Sequence, residues 1–213
     1  MLKATEKIID VGFADNILTG VNLEQLFDKT PASRYGLVNK MLKKGELIKL
    51  RRGLYTLAQK FRHSKISAFH LASRIVTHSY ISLESALAYH NWIPEKVIPT
   101  ISVTAFGRSR TFHTPFGEFI YYHIPVNAYE FFTGVSREEI ANKPFFIASP
   151  LRALADLVYV KKINWRGLDF LFKSLRIEEE YIKQIDKKEL HTLKHVYRSK
   201  RVLAFLHNLS EAL

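Results

Sequence analysis

Residues 30–57 read TPASRYGLVNKMLKKGELIKLRRGLYTL, and the reading of this stretch decides the rest of the chain. Thr30 is a good helix N-cap, and Pro31 suits the first helical position, where a missing N–H leaves nothing unsatisfied. Gly45 is placed to end that helix in a left-handed cap. Two short apolar runs follow, 47–50 and 54–57, joined by Arg51-Arg52-Gly53, a glycine-containing hairpin turn. A helix followed at once by a hairpin with arginines at its tip is the sequence form of a winged helix-turn-helix. It points to double-stranded DNA as the ligand.

The phase of the helix sharpens that expectation. At about 100° per residue, Leu37, Val38, Met41 and Leu42 share one arc, with Tyr35 at its edge. The opposite arc collects Ala32, Ser33, Gly36, Asn39, Lys40, Lys43 and Lys44. A helix in the major groove needs small residues at the closest approach, hydrogen-bonding side chains at base edges and cations near phosphates. The expected DNA-binding residues are therefore Ser33, Arg34, Asn39, Lys40, Lys43 and Lys44 on the helix, with Lys49, Arg51 and Arg52 on the hairpin. Asn39 is the expected base reader, and the tip arginines suit phosphate or a narrow minor groove. Upstream, Asn22 is expected to cap a short helix over 23–27, with Gln25 completing a capping box; this would be the first helix of the pair. A further helix is expected within 4–18.

Charge separates the chain into parts. The whole carries a formal +12, but residues 30–65 alone hold ten basic side chains against one acid, Glu46, whereas residues 66–147 balance at six of each sign. Such a local concentration suits a polyanion, because neutralising phosphates releases counterions. With 213 residues the chain has room for two small domains. The expected division is a winged helix-turn-helix DNA-binding domain over 1–60, a joint at 58–65 (AQKFRHSK), and a second domain over 66–213. The expected fold class is α+β: the second domain should be mixed α/β, with helices at 66–77 and 82–90, strands at 101–105, 111–113 and 119–124 forming an antiparallel-type sheet, and a helical C-terminus. Within that terminus the expected helices are 150–160, 165–175 and 179–209.

Several function classes find no support. No run approaches the roughly 20 apolar residues of a membrane helix, and the start, MLKATEKIID, lacks the apolar core of a secretory signal. There are no cysteines, which fits a cytoplasmic location. P-loop, GxGxxG, HExxH and G-x-S-x-G patterns are missing, so no catalytic residue, cofactor or metal site is assigned. His191 and His195 share a helix face at i, i+4 but have no evident third ligand, and Lys194 and Arg198 beside them oppose a cation. Glu138-Glu139 reads as solvated surface or as charge at a helix N-terminus. Along the last expected helix, Lys187, His191, Lys194, Arg198 and Arg201 form one cationic stripe; Lys187, Lys194, Arg198 and Arg201 are the candidate partner-binding surface. Two alternatives stay open: a stand-alone regulator sensing a small ligand, and a metal-dependent nuclease in which Glu84, Glu118 and Asp156 would converge on a divalent cation.

Several segments together resemble the AbiEi antitoxins of bacterial abortive-infection (type IV toxin–antitoxin) systems. These are the N-terminal head ending in Arg52-Gly53-Leu54-Tyr55, the run Tyr80-Ile81-Ser82-Leu83-Glu84-Ser85-Ala86-Leu87, the strand at 101–105, the Phe116-Gly117 turn, and Ser149-Pro150-Leu151-Arg152-Ala153-Leu154-Ala155-Asp156. Their order spans about residues 20–160. Where the family commonly carries Glu after the proline of the last motif, this chain has Leu151. The resemblance implies a transcriptional regulator that represses its own operon through the winged helix. It further implies neutralisation of a co-encoded nucleotidyltransferase-like toxin by the C-terminal part.

Overall fold

The computed structural model describes residues 1–28 and 30–213. From the N-terminus come α1 (Lys3–Asp10), a short strand β1 (Leu18–Thr19), α2 (Gly20–Leu26), α3 (Pro31–Lys43) and the strands β2 (Leu47–Arg51) and β3 (Leu54–Leu57). Local chemistry sets these boundaries. The Thr30 hydroxyl accepts the Ser33 N–H at 3.3 Å, with Pro31 at the first helical position. At the other end Gly45 takes φ +62°, and the Gly45 and Glu46 N–H groups return to the carbonyls of Leu42 and Met41, both at 3.0 Å. Those two bonds are the Schellman arrangement, which satisfies carbonyls that the helix end leaves orphaned. The capping expectation for α2 is corrected by one turn. Thr19 is the cap and Asn22 its reciprocal partner, each side chain bonding the other's backbone N–H.

The three short strands form an antiparallel sheet in the order β1-β3-β2. Ile8, Leu23, Leu26, Phe27, Val38, Met41, Leu47 and Leu57 close a small core beneath it. The hairpin has a second commitment. A bulge between Lys49 and Arg51 inserts Leu50 as an extra residue, and a bulge re-aims the side chain it carries. Leu50 and Leu54, with Ile17, are buried in the large core of the rest of the chain rather than in the small one. The hairpin is therefore covered on both faces.

The remainder comprises α4 (Ala68–Ile75), β4 (Ser79–Ile81), α5 (Leu83–Tyr89), β5 (Thr100–Thr104), β6 (Arg110–Thr114), β7 (Gly117–His123), β8 (Val135–Ile140), β9 (Lys143–Ala148), α6 (Pro150–Val160), α7 (Glu179–Lys183), α8 (Lys187–Val196) and α9 (Lys200–Ala212). A π-helical turn occupies Phe170–Ser174. The α+β class is as expected, but the sheet is not antiparallel. Its order is β6-β7-β5-β4-β9-β8, with β5 beside β7 and β4 beside β9 both parallel. Helices cover both faces: the Tyr121 hydroxyl donates to the Ala72 carbonyl of α4 on one side, and Tyr80 reaches α6 on the other. All five residues of β5 are consequently buried, polar Ser102 and Thr104 included, where simple alternation would expose every second one.

Two more expectations are corrected here. Glu138 and Glu139 lie on edge strand β8, half-buried and exposed respectively, so the helix N-terminus alternative for them is corrected and the surface one is kept. The expected helix at 179–209 is three helices: residues 184–186 separate α7 from α8, and Tyr197, extended (φ −96°, ψ 142°) and bridged to Val126, separates α8 from α9.

The joint at 58–65 is pinned. Asp15 Oδ1 accepts the N–H groups of His63 and Ser64, both at 2.9 Å, and the buried Arg62 lies over the Phe116 ring at 5.5 Å.

Glu46, the single acid of the basic stretch, is buried at the end of α3. Its carboxylate accepts the Thr5 hydroxyl at 2.5 Å and the Leu2 N–H at 2.9 Å, tying α1 to the start of the hairpin. Those bonds, the Thr5 hydroxyl foremost, hold its pKa below the usual carboxylate value of 4.5. A depressed acid adds stability that is fully present above its ordinary value and is lost as pH falls through the depressed one. Urea melts from pH 7 to pH 3 should therefore show the parent chain losing more stability than Glu46→Gln, which begins weaker and changes less. Parallel loss in both chains would contradict this role.

Candidate nucleic-acid interface

The outward side of α3 carries Ala32, Ser33, Gly36, Lys40, Lys43 and Lys44, all exposed, with Asn39 half-buried at the margin. Val38 and Met41 are buried and Leu37 and Leu42 pack partly against the small core, which fixes the rotation of the helix. Tyr35, placed at the edge of the apolar arc by helical phase, is instead 71% exposed and adds an aromatic side chain to the polar side. Arg34 is engaged with the neighbouring helix. Its guanidinium bonds Glu24 on α2 at 2.6 Å, so it ties the two helices together.

The hairpin adds Lys49, Arg51 and Arg52, all exposed. Arg52 and Gly53 form the turn. Gly53 holds φ +74°, and a Cβ there would meet no atom within 4 Å, so the demand for glycine is conformational alone. Because the hairpin is clamped against the large sheet, Arg51 borders a cleft of about 220 Å³ with His78, Arg110 and Phe112, while Arg52 stands at the turn. With Glu46 withdrawn into the interior, this surface presents Lys40, Lys43, Lys44, Lys49, Arg51 and Arg52 with no carboxylate of residues 30–65 among them.

The expected partner-binding residues do not share one continuous helix. Lys187 and Lys194 lie on α8, Arg198 lies in the break after it, and Arg201 lies on α9, where its Nε donates to Asn164 Oδ1 at 3.0 Å. The stripe needed one continuous helix. His191 and His195 meet edge to face on α8, ring centroids 5.3 Å apart, and among the described residues no three His, Cys, Asp or Glu side chains form a group able to hold a metal. Glu84 pairs with Lys161 at 3.3 Å, Glu118 with His113 at 3.7 Å, and Asp156 is fully buried, so the three carboxylates do not converge.

Sequence reading did not anticipate what the run at 80–87 and the run at 149–156 do together. Asp156 Oδ2 accepts the hydroxyls of Tyr80 at 2.9 Å and Ser82 at 2.7 Å, and Oδ1 accepts that of Tyr197 at 2.6 Å. Arg152, one turn earlier on α6, donates to Tyr80 at 2.8 Å and to the Thr133 carbonyl at 3.2 Å, and lies 3.5 Å from Asp156 Oδ1. Its guanidinium also sits over the Tyr197 ring at 4.8 Å. Burial, reinforced by the charge of Asp156, pushes the pKa of both phenols well above its ordinary value, so they remain protonated donors. The i, i+4 spacing of Arg152 and Asp156 was visible in sequence; their tyrosine partners were not. Leu151, where the resembling family carries Glu, is 2% exposed and packs in the core.

No model of a known protein family matches the chain, and no curated protein matches it.

Removing one partner of a buried ion pair leaves the other uncompensated, at a cost of about 3–5 kcal/mol. Asp156→Ala should lose that much stability in urea denaturation. Tyr197→Phe, which deletes one hydroxyl donor, should lose about 1–3 kcal/mol. An Asp156→Ala chain as stable as the parent would show that the network is dispensable.

Proposed function

We propose that this chain is a DNA-binding transcriptional regulator whose residues 1–60 act as a winged helix-turn-helix. The observation that carries the reading is the segregation of charge: six of the ten cations of residues 30–65, Lys40, Lys43, Lys44, Lys49, Arg51 and Arg52, stand exposed on α3, its C-cap and the hairpin, and the one acid of that stretch is buried. The element order α1-β1-α2-α3-β2-β3 supports it. In this reading α2 crosses the backbone and α3 enters the major groove. Ser33 and Gly36 permit close approach, Asn39 addresses a base edge, and Lys40 and Lys43 reach phosphates. Arg52 at the turn supplies a contact beside the groove. Arg34, held by Glu24, orients α3 rather than touching bases.

The resemblance to AbiEi antitoxins extends the proposal to autorepression and to neutralisation of a co-encoded nucleotidyltransferase-like toxin in the cytoplasm. Its support is that the two runs carrying the resemblance, at 80–87 and 149–156, supply Tyr80, Ser82, Arg152 and Asp156 to one buried network. A co-expression growth assay with that toxin tests this part; growth arrest that the chain fails to relieve contradicts it. No helix among the described residues is long and apolar enough to cross a membrane.

DNA binding is tested by mobility shift on the upstream region of the chain's own gene. Lys40→Ala and Lys43→Ala should each weaken binding to every sequence and lower the salt slope by about one unit. Asn39→Ala should cost about 1–3 kcal/mol against one base position and relax the preference there. Unaltered migration at low salt and micromolar protein overturns the proposal.

A further inference from the structure

β4 begins at Ser79, whereas its parallel neighbour β9 starts further back along the same edge, at Lys143, and the register Ile81↔Ile147 leaves a gap ahead of Ser79. That gap opens into a groove of about 450 Å³ between the end of α4 and the β8–β9 hairpin. The volume falls within the roughly 300–1,000 Å³ of small-molecule sites. Its walls carry Arg74, Arg137, His70 and His78 and no carboxylate. Neither arginine makes an ion pair among the described residues.

The same groove is floored by aromatic surface. Phe132 and Phe146 are 41% and 39% exposed, with ring centroids 5.2 Å apart. Arg137 lies directly opposite Phe146 across the β8–β9 pair, so a cation and a ring face share one side of the sheet. His78 is held at φ +55°, a conformation that a non-glycine residue adopts only where its surroundings impose it. Cations suit a phosphate, and exposed ring faces suit a planar heterocycle, whichever base it is.

We propose that this groove is a binding site for a mononucleotide, its phosphate held by Arg74 and Arg137 and its base stacked on Phe146 and Phe132. The inference does not depend on DNA binding by α3. It has a consequence for the seam between the two parts of the chain, because His70, Arg74 and Pro144 also line a second cavity, of about 280 Å³, against Asn16 and Asn22 of the N-terminal unit. A nucleotide in the groove therefore sits beside the contact that sets the two parts relative to each other, where the Lys143 ammonium donates to Asn16 at 3.4 Å.

His70 offers a readout inside the groove. Its Nδ1 sits 2.7 Å from the Pro144 carbonyl, and burial, then the charges of Arg74 and Lys143, hold the imidazole below its ordinary proton affinity. A phosphate beside it should raise that affinity. The test is calorimetric titration of the full chain with AMP, GMP, CMP and UMP in turn, and with inorganic phosphate, alongside proton NMR titration of His70. Saturable nucleotide binding tighter than that of phosphate is expected, with a rise in the His70 pKa on binding. Arg74→Gln and Arg137→Gln should each weaken nucleotide about ten-fold. Phe146→Leu should weaken nucleotide and leave phosphate unchanged, and thermal melts check that each variant is folded. The proposal is overturned if no mononucleotide saturates the chain, if phosphate binds as tightly as the nucleotides, or if folded variants bind like the parent.

Discussion

The two oxygens of Asp156 take three hydroxyl hydrogen bonds from two distant stretches of the chain: Tyr80 on β4 with Ser82 just after it at the start of α5, and Tyr197 in the break between α8 and α9. Arg152 closes the group from one turn away on α6. A buried carboxylate is costly unless paired and fully hydrogen-bonded, and so is a buried guanidinium. Each answers the other, and the tyrosines answer both. The helices on one side of the sheet and the sheet itself are thereby fixed by a polar constraint at the centre of an otherwise apolar core. The interruption at Tyr197 follows from it, since a continuous helix through 197 would not keep the extended backbone that bridges to Val126 and aims the phenol at Asp156.

The N-terminal unit depends on that body in turn. Its hairpin turns Leu47 and Leu57 toward its own small core and Leu50 and Leu54 toward the large one. Burying an apolar side chain is worth about 1.5–3 kcal/mol, so Ile17, Leu50 and Leu54 together give the two parts a firm common boundary. The consequence for function is that the basic surface is carried on a rigid base. Lys49, Arg51 and Arg52 are set by the bulge and the turn, while Glu46, the one acid that would dilute their charge, serves instead as an internal tie between α1 and the hairpin.

What could be read from sequence was what local chemistry decides. Thr30, Pro31 and Gly45 bound α3 because caps act over a single turn, and the Arg-Arg-Gly turn with its flanking leucines is also a local signal. Asn22 misled by one turn because Thr19 and Asn22 cap each other, and either residue type suits either role. The parallel pairings of β5 with β7 and of β4 with β9 join segments whose order in the chain carries no sign of their order in the sheet. β8 and β9 were missed because an edge strand reading VSREEI is charged where it meets solvent, and its hairpin turns through Ala141 and Asn142, both at positive φ, without a glycine. Arg34 was read from charge alone, and its partner Glu24 lies on another helix. Arg152 and Asp156 were visible as a pair, yet only the fold brings Tyr80 and Tyr197 to them.

In the proposed function, the polar side of α3 and the tip of the β2–β3 hairpin form the surface that meets duplex DNA. Amide chemical-shift mapping of the full chain, titrated with duplex from its own upstream region, tests it most directly. Perturbations should concentrate at Ser33, Gly36, Asn39, Lys40 and Lys43 and at Arg51, Arg52 and Gly53, with the buried surroundings of Asp156 unmoved. Perturbations confined to the body, or none at saturating DNA, would contradict it.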